Sequence, residues 1–130
     1  MIGSPWLKPL RRRRTWLAMW LLAIATVVAA CLLPSSELPK VPLSDKLEHA
    51  LAFLVLSVAA GQLFLRGTPL VIVAFGLLAL GAGIELAQAL LTTTRAMEAA
   101  DLLADAIGIA AGVATAWTPF GNLLLRVDHL

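Results

Sequence analysis

The chain has 130 residues, 60% of them hydrophobic and 14% charged, with a net charge of +2 at neutral pH. Soluble domains carry about 25% charged residues, so this composition and a mean hydropathy of +0.89 exclude an ordinary soluble bundle, and spans of about 20 residues leave no length for a separate soluble domain. The basic excess comes largely from Lys8 and the run Arg11, Arg12, Arg13 and Arg14 ahead of the first apolar segment, which is a topology signal and not a broad nucleic-acid-binding surface.

Trp16 to Leu33 is apolar and free of charge. At 1.5 Å per residue it covers about 27 Å, enough to cross the core of a bilayer, and a first helix is predicted over 16–33. Inside it Val28, Ala29, Ala30 and Cys31 resemble a lipoprotein cleavage box, but a run of spanning length favours a retained helix. Cys31 is the sole cysteine, so the chain alone forms neither a disulfide nor a cysteine-based zinc site. It reads as a small residue facing lipid or core.

Pro34, Pro39 and Pro42 lack the amide a helix needs and mark a loop. A second helix is predicted over 45–65, with Asp45, Lys46, Glu48 and His49 in its first turns and an apolar run from Ala50. Arg66, Gly67 and Thr68 form a short turn. The third helix, over 69–91, starts at Pro69, where a missing amide costs least, and contains Glu85 and Gln88 as its strongly polar members. Thr92, Thr93, Thr94 and Arg95 end it. A fourth helix covers 101–117 and stops at Thr118, Pro119, Phe120 and Gly121, leaving a tail with Arg126, Asp128 and His129 that is expected to lie along the interface.

The predicted architecture is therefore all-α, an integral membrane four-helix bundle. Basic residues mark cytoplasmic flanks, so the N-terminus is expected inside the cell, and four spans return the C-terminus to the same side. Trp6, Trp16, Trp20 and Trp117 would then lie at the inner boundary, where indole rings prefer to sit. Lys40, Lys46 and Arg95 fall on the outer side and weaken this bias without reversing it.

That topology gathers the ionisable residues of three segments at one depth. Asp45 and His49 are four apart, Glu85 and Gln88 three apart, and Asp101 and Asp105 four apart, so each pair shares a helix face. Small residues mark the faces by which membrane helices pack. Ala104, Gly108, Gly112 and Ala116 form such a stripe on the fourth helix, and Ala79, Gly83 and Ala87 form one on the third beside Gly81, Glu85 and Gln88. A carboxylate at mid-membrane costs about 2.5 to 3.5 kcal/mol, less near an end, so Glu85 is expected to be paired, solvated or protonated, with Arg95 and His49 as nearest partners. Asp45 reads first as an N-cap, with Glu48 reaching back as in a capping box, and Asp101 complements the helix dipole. Arg95 is either an interface anchor or a two-pronged grip for phosphate or carboxylate. His49 and Glu85 are the candidate acid or base groups. A hard cation such as calcium or magnesium is the lesser reading, since no spacing such as HExxH appears. No metal and no cofactor are expected.

Three motifs in order, Asp45-Lys46-Leu47-Glu48-His49, Glu85-Leu86-Ala87-Gln88, and Arg95 followed by Asp101 and by Asp105-Ala106-Ile107-Gly108, resemble the VanZ-like family over roughly Asp45 to Trp117. The resemblance implies a small four-helix membrane protein of the bacterial inner membrane and cell envelope, whose founding member is associated with resistance to the glycopeptide antibiotic teicoplanin. It assigns importance to Asp45, Lys46, His49, Glu85, Gln88, Arg95 and Asp101. Where the family pattern has asparagine, this chain has Asp105, which adds a negative charge. Together these residues are expected to form an outer-facing pocket for the headgroup of a lipid carrier, such as a polyprenyl phosphate, or of a cell-wall precursor, with membrane lipids as the other partners. The alternative is a membrane-embedded enzyme acting on a lipid-linked phosphate or glycan, with Glu85 or His49 as base and Arg95 holding the anion. A proton-coupled transporter is a third reading, disfavoured by four short helices without inverted repeats.

Overall fold

The computed structural model describes residues 4–32, 45–91 and 99–130. The helices are α1 (Arg13–Leu32), α2 (Asp45–Leu63), α3 (Thr68–Leu91), α4 (Ala99–Ala114), which tightens into a 3-10 turn at Thr115–Trp117, and the short α5 (Leu123–Asp128). Four of these segments are long and apolar enough to cross a membrane. Large apolar side chains such as Leu22, Phe75, Leu90 and Leu103 point outward, which suits a hydrocarbon surrounding and would be a liability in water.

The helix ends depart from the predicted ones for local reasons. Arg13 and Arg14 join the first turn of α1, because a terminal turn tolerates charge that a span interior does not. α2 ends at Leu63, two residues early, since the extended segment before α1 takes over the next backbone groups. Lys8 N donates to Leu63 O at 2.9 Å, Leu65 N donates to Trp6 O at 2.8 Å, and Leu7 pairs with Phe64 in an antiparallel bridge. Gly67 then turns the chain with φ +97°, a conformation that favours glycine.

α2 and α4 approach most closely, and small residues permit it. A Cβ on Gly108 would overlap the carbonyl oxygen of Ala50, and one on Gly112 would overlap the hydroxyl of Ser57. Ser57 is fully buried, with Oγ 2.7 Å from Phe53 O in its own helix and 3.2 Å from Gly108 O across the interface. Further along, a Cβ on Gly61 would meet Ala116 at 3.2 Å. The predicted stripe on the fourth helix is thus the packing face. The stripe on the third is not: Ala79 and Gly83 are exposed, nothing lies within 4 Å of a Cβ built on Gly83, and the glycine facing inward is Gly81. Apart from Glu85 and Gln88, α3 is apolar on every side, so small residues on it do not by themselves distinguish a packed face from a lipid-facing one.

α1 has no fully buried residue and joins the bundle along one face, through Trp20. Its indole Nε1 donates to Leu56 O at 3.0 Å, and its ring meets Phe64 edge to face with centroids 5.3 Å apart, a favoured aromatic geometry. Trp20 is therefore a packing residue as well as a boundary one.

The tail is docked: α5 folds back on the start of the chain, so both described ends sit at one end of the bundle. Asp128, 1% exposed, accepts hydrogen bonds from the backbone amides of Arg11 and Arg12 and from Trp16 Nε1, the last at 2.8 Å. It thereby caps the N-terminus of α1 from the far end of the sequence, a position where a negative charge also meets the positive end of the helix dipole. Burial pushes its carboxyl pKa upward, but the Trp16 indole, the two amides and the nearby His129 outweigh it and hold the value below the usual carboxylate range. Lys8 is the second clasp. Its Nζ donates to Gly61 O at 2.8 Å, Gly121 O at 2.6 Å and Asn122 Oδ1 at 2.9 Å, using all three ammonium donors. Burial and then the neighbouring Arg66 charge lower its pKa below the usual lysine range.

Candidate functional site

At the end of the bundle opposite this clasp, α2 and α4 begin and α3 finishes. His49 lies on the second turn of α2, Glu85 seven residues from the end of α3 counting itself, and Asp101 and Asp105 in the first two turns of α4. Helices that alternate in direction bring these positions to one depth, and each side chain turns inward: His49, Glu85, Asp101 and Asp105 are all buried, Asp105 completely.

The contacts are short. His49 Nδ1 lies 3.0 Å from Asp105 Oδ1, and His49 Nε2 lies 4.0 Å from Asp101 Oδ2. One ring nitrogen of His49, one oxygen of Glu85 and one of Asp105 fall within 4.8 Å of one another. The imidazole is thus surrounded by carboxylates from two other helices. Asp105 Oδ2 accepts no hydrogen bond. It rests instead against α3 at Gly81, where a Cβ would come within 2.6 Å of it. Gly81 precedes Glu85 by one helical turn and shares its face, so it forms the floor over which the carboxylate reaches toward the Glu85 side. The sequence places Gly81 on one face with Glu85 and Gln88, and its four-residue spacing to Glu85 is the signal that marks it; its role against Asp105 was not legible there.

The remaining predicted site residues divide. Gln88 is buried, and its Nε2 donates to Cys31 O at 2.8 Å, so its amide ties α3 to the last turn of α1. Cys31 is correspondingly a half-buried contact residue of α1. Lys46 is exposed at the same end of α2, three residues before His49, and stands at the rim. The side chain of Asp45, with its predicted capping contact, and all of Arg95 lie outside the described residues, as does the proline loop.

Chemically, the cluster is rich in acceptors and poor in donors. Among the described residues three carboxylates face one imidazole, so this part of the site suits donor groups, protons or a cation better than a bare anion. A histidine whose Nδ1 is held by a carboxylate has its ring orientation and tautomer fixed, the arrangement by which a general base presents its other nitrogen. Buried charge in a membrane span is costly, at about 2.5 to 3.5 kcal/mol per group at the centre and less near an end. Comparison with family models, with curated proteins and with solved structures returned no match.

Proposed function

We propose that the chain is a VanZ-like protein of the bacterial inner membrane, with both termini in the cytoplasm, that binds the headgroup of a lipid carrier or cell-wall precursor in an outer-facing polar pocket. Glu85, Asp101 and Asp105 receive hydroxyl, amide or ammonium donors of the headgroup, His49 completes the wall, and Lys46 with Arg95 meets the phosphate at the rim. A link to glycopeptide resistance follows if the bound species is the precursor those antibiotics recognise. The observation that carries this reading is Asp105: a carboxylate with no exposure keeps an oxygen without a donor, inside a niche built by three helices. Such an acceptor is a lasting cost unless something supplies the missing bond. The run Lys8 to Arg14 supports the orientation, and the ordered motifs from Asp45 to Asp105 support the family.

Purified protein in micelles should retain the glycan-bearing undecaprenyl precursor, whose headgroup carries hydroxyl and amide donors, in preference to phosphatidylglycerol, and Asp105→Asn or Glu85→Gln should weaken retention at least tenfold while helix content is kept. Equal retention of bulk phospholipid, or retention indifferent to both replacements, overturns the reading.

One contact favours an enzymatic version. The 3.0 Å pairing of His49 Nδ1 with Asp105 Oδ1 orients the ring as a general base does, for taking a proton from water as it attacks a lipid-linked phosphate or glycan and the bond to the leaving alcohol or phosphate breaks. Turnover that vanishes in His49→Gln with headgroup binding preserved would distinguish the enzyme from the binding protein.

A further inference from the structure

We propose that His49, Glu85 and Asp105 hold a first-row divalent metal ion of the Zn²⁺ or Mn²⁺ kind, with Asp101 as the carboxylate behind the imidazole. The donor set is one nitrogen and two carboxylates, each from a different helix, already within 4.8 Å of one another. Bonds of about 2.0 to 2.2 Å in a tetrahedral shell place neighbouring ligand atoms about 3.3 to 3.6 Å apart, so closure draws the widest pair in by about an ångström, a movement assigned to the flexible Glu85 side chain. Calcium wants six to eight oxygens, and the imidazole argues against it; mixed nitrogen and carboxylate donors suit zinc and manganese.

Two further observations point to a cation here. Asp105 has no exposure and Oδ2 accepts no hydrogen bond, so a coordination site stands ready beside the oxygen that faces His49. Its position over Gly81, where a Cβ would intrude at 2.6 Å, keeps the carboxylate between α3 and α4 on the Glu85 side. Asp101 Oδ2 lies 4.0 Å from His49 Nε2, longer than a hydrogen bond but on the side where metal-bound imidazoles donate their second ring N–H to a carboxylate. A dication beside buried carboxylates offsets their charge, with release of any bound protons.

The inference does not rest on headgroup binding, because metal uptake is read with no lipid ligand added. Full-length protein in micelles, stripped with chelator, is titrated separately with Zn²⁺, Mn²⁺ and Ca²⁺ by calorimetry, and bound metal is counted by mass spectrometry. The expected result is one Zn²⁺ or Mn²⁺ per chain, with binding at least a hundredfold weaker in Asp105→Asn and Glu85→Gln, tenfold to a hundredfold weaker in Asp101→Asn, and unchanged in a Cys31→Ser, His129→Gln double variant. X-ray absorption at the zinc edge of the wild-type protein should show one imidazole with oxygen donors, which needs no folded variant. Absence of saturable uptake, binding abolished by the Cys31 and His129 replacements, or sulfur in the zinc shell overturns the proposal.

Discussion

Single side chains decide both ends of this molecule. At the polar end, Asp105 is fixed on one oxygen by His49 at 3.0 Å and on the other by the bare backbone of Gly81. Gly81→Ala places a methyl group 2.6 Å from that oxygen, and a carboxylate held by an imidazole cannot retreat without giving up the contact. Overpacking of this kind costs about 1 to 3 kcal/mol, so the thermal midpoint in detergent should fall, whereas Gly83→Ala, two residues away in open space, should leave it unchanged. At the other end, Asp128 makes tail docking depend on pH. Its folded carboxyl pKa is depressed, so its contribution is complete above the ordinary carboxylate range and is lost as pH falls through the depressed folded value. Digestion by carboxypeptidase should find the tail protected at neutral pH and released in acid. Asp128→Asn should expose it at neutral pH and flatten the dependence.

Among the helices, the pairing of α2 with α4 sets the geometry on which the site depends, because His49 and Asp105 meet only if these two backbones come close. Gly108 and Gly112 permit that approach, and both were legible in sequence as members of a four-residue stripe. The same rule misread α3, where Ala79 and Gly83 face outward and Gly81 inward. The difference is contrast: α4 carries Asp101 and Asp105 beside its stripe, while on α3 only the phase of Glu85 and Gln88 tells inside from outside, and that phase selects Gly81. Gly112→Ala would drive a methyl group into the Ser57 hydroxyl and should lower the thermal midpoint. Adding Ser57→Gly should recover part of the loss, since neighbours in contact do not behave additively. Recovery absent from the double variant would mean that the loss arises elsewhere than at this contact.

Across the whole chain, what was readable followed from local windows, and what was not followed from long-range pairing. Four charge-poor stretches announced four helices, and three clusters of polar residues at their ends announced a meeting point. Lys8 and Asp128, by contrast, read as a topology signal and part of an interfacial tail, because each bonds with partners more than a hundred residues away and no periodicity links such distances. Their clasp brings both described ends to the end bearing the run Arg11 to Arg14, so Glu85, Asp101 and Asp105 occupy the opposite end and the protein has two chemically unlike faces. If basic flanks stay in the cytoplasm, the acidic site faces outward. The test is a pair of cysteines introduced in a Cys31→Ser background at exposed positions of opposite ends, Lys46→Cys and Thr118→Cys. In intact spheroplasts a membrane-impermeant maleimide should label the first and spare the second until the membrane is opened. The reverse pattern would put the site in the cytoplasm, out of reach of any headgroup on the outer leaflet, while leaving its capacity for metal untouched.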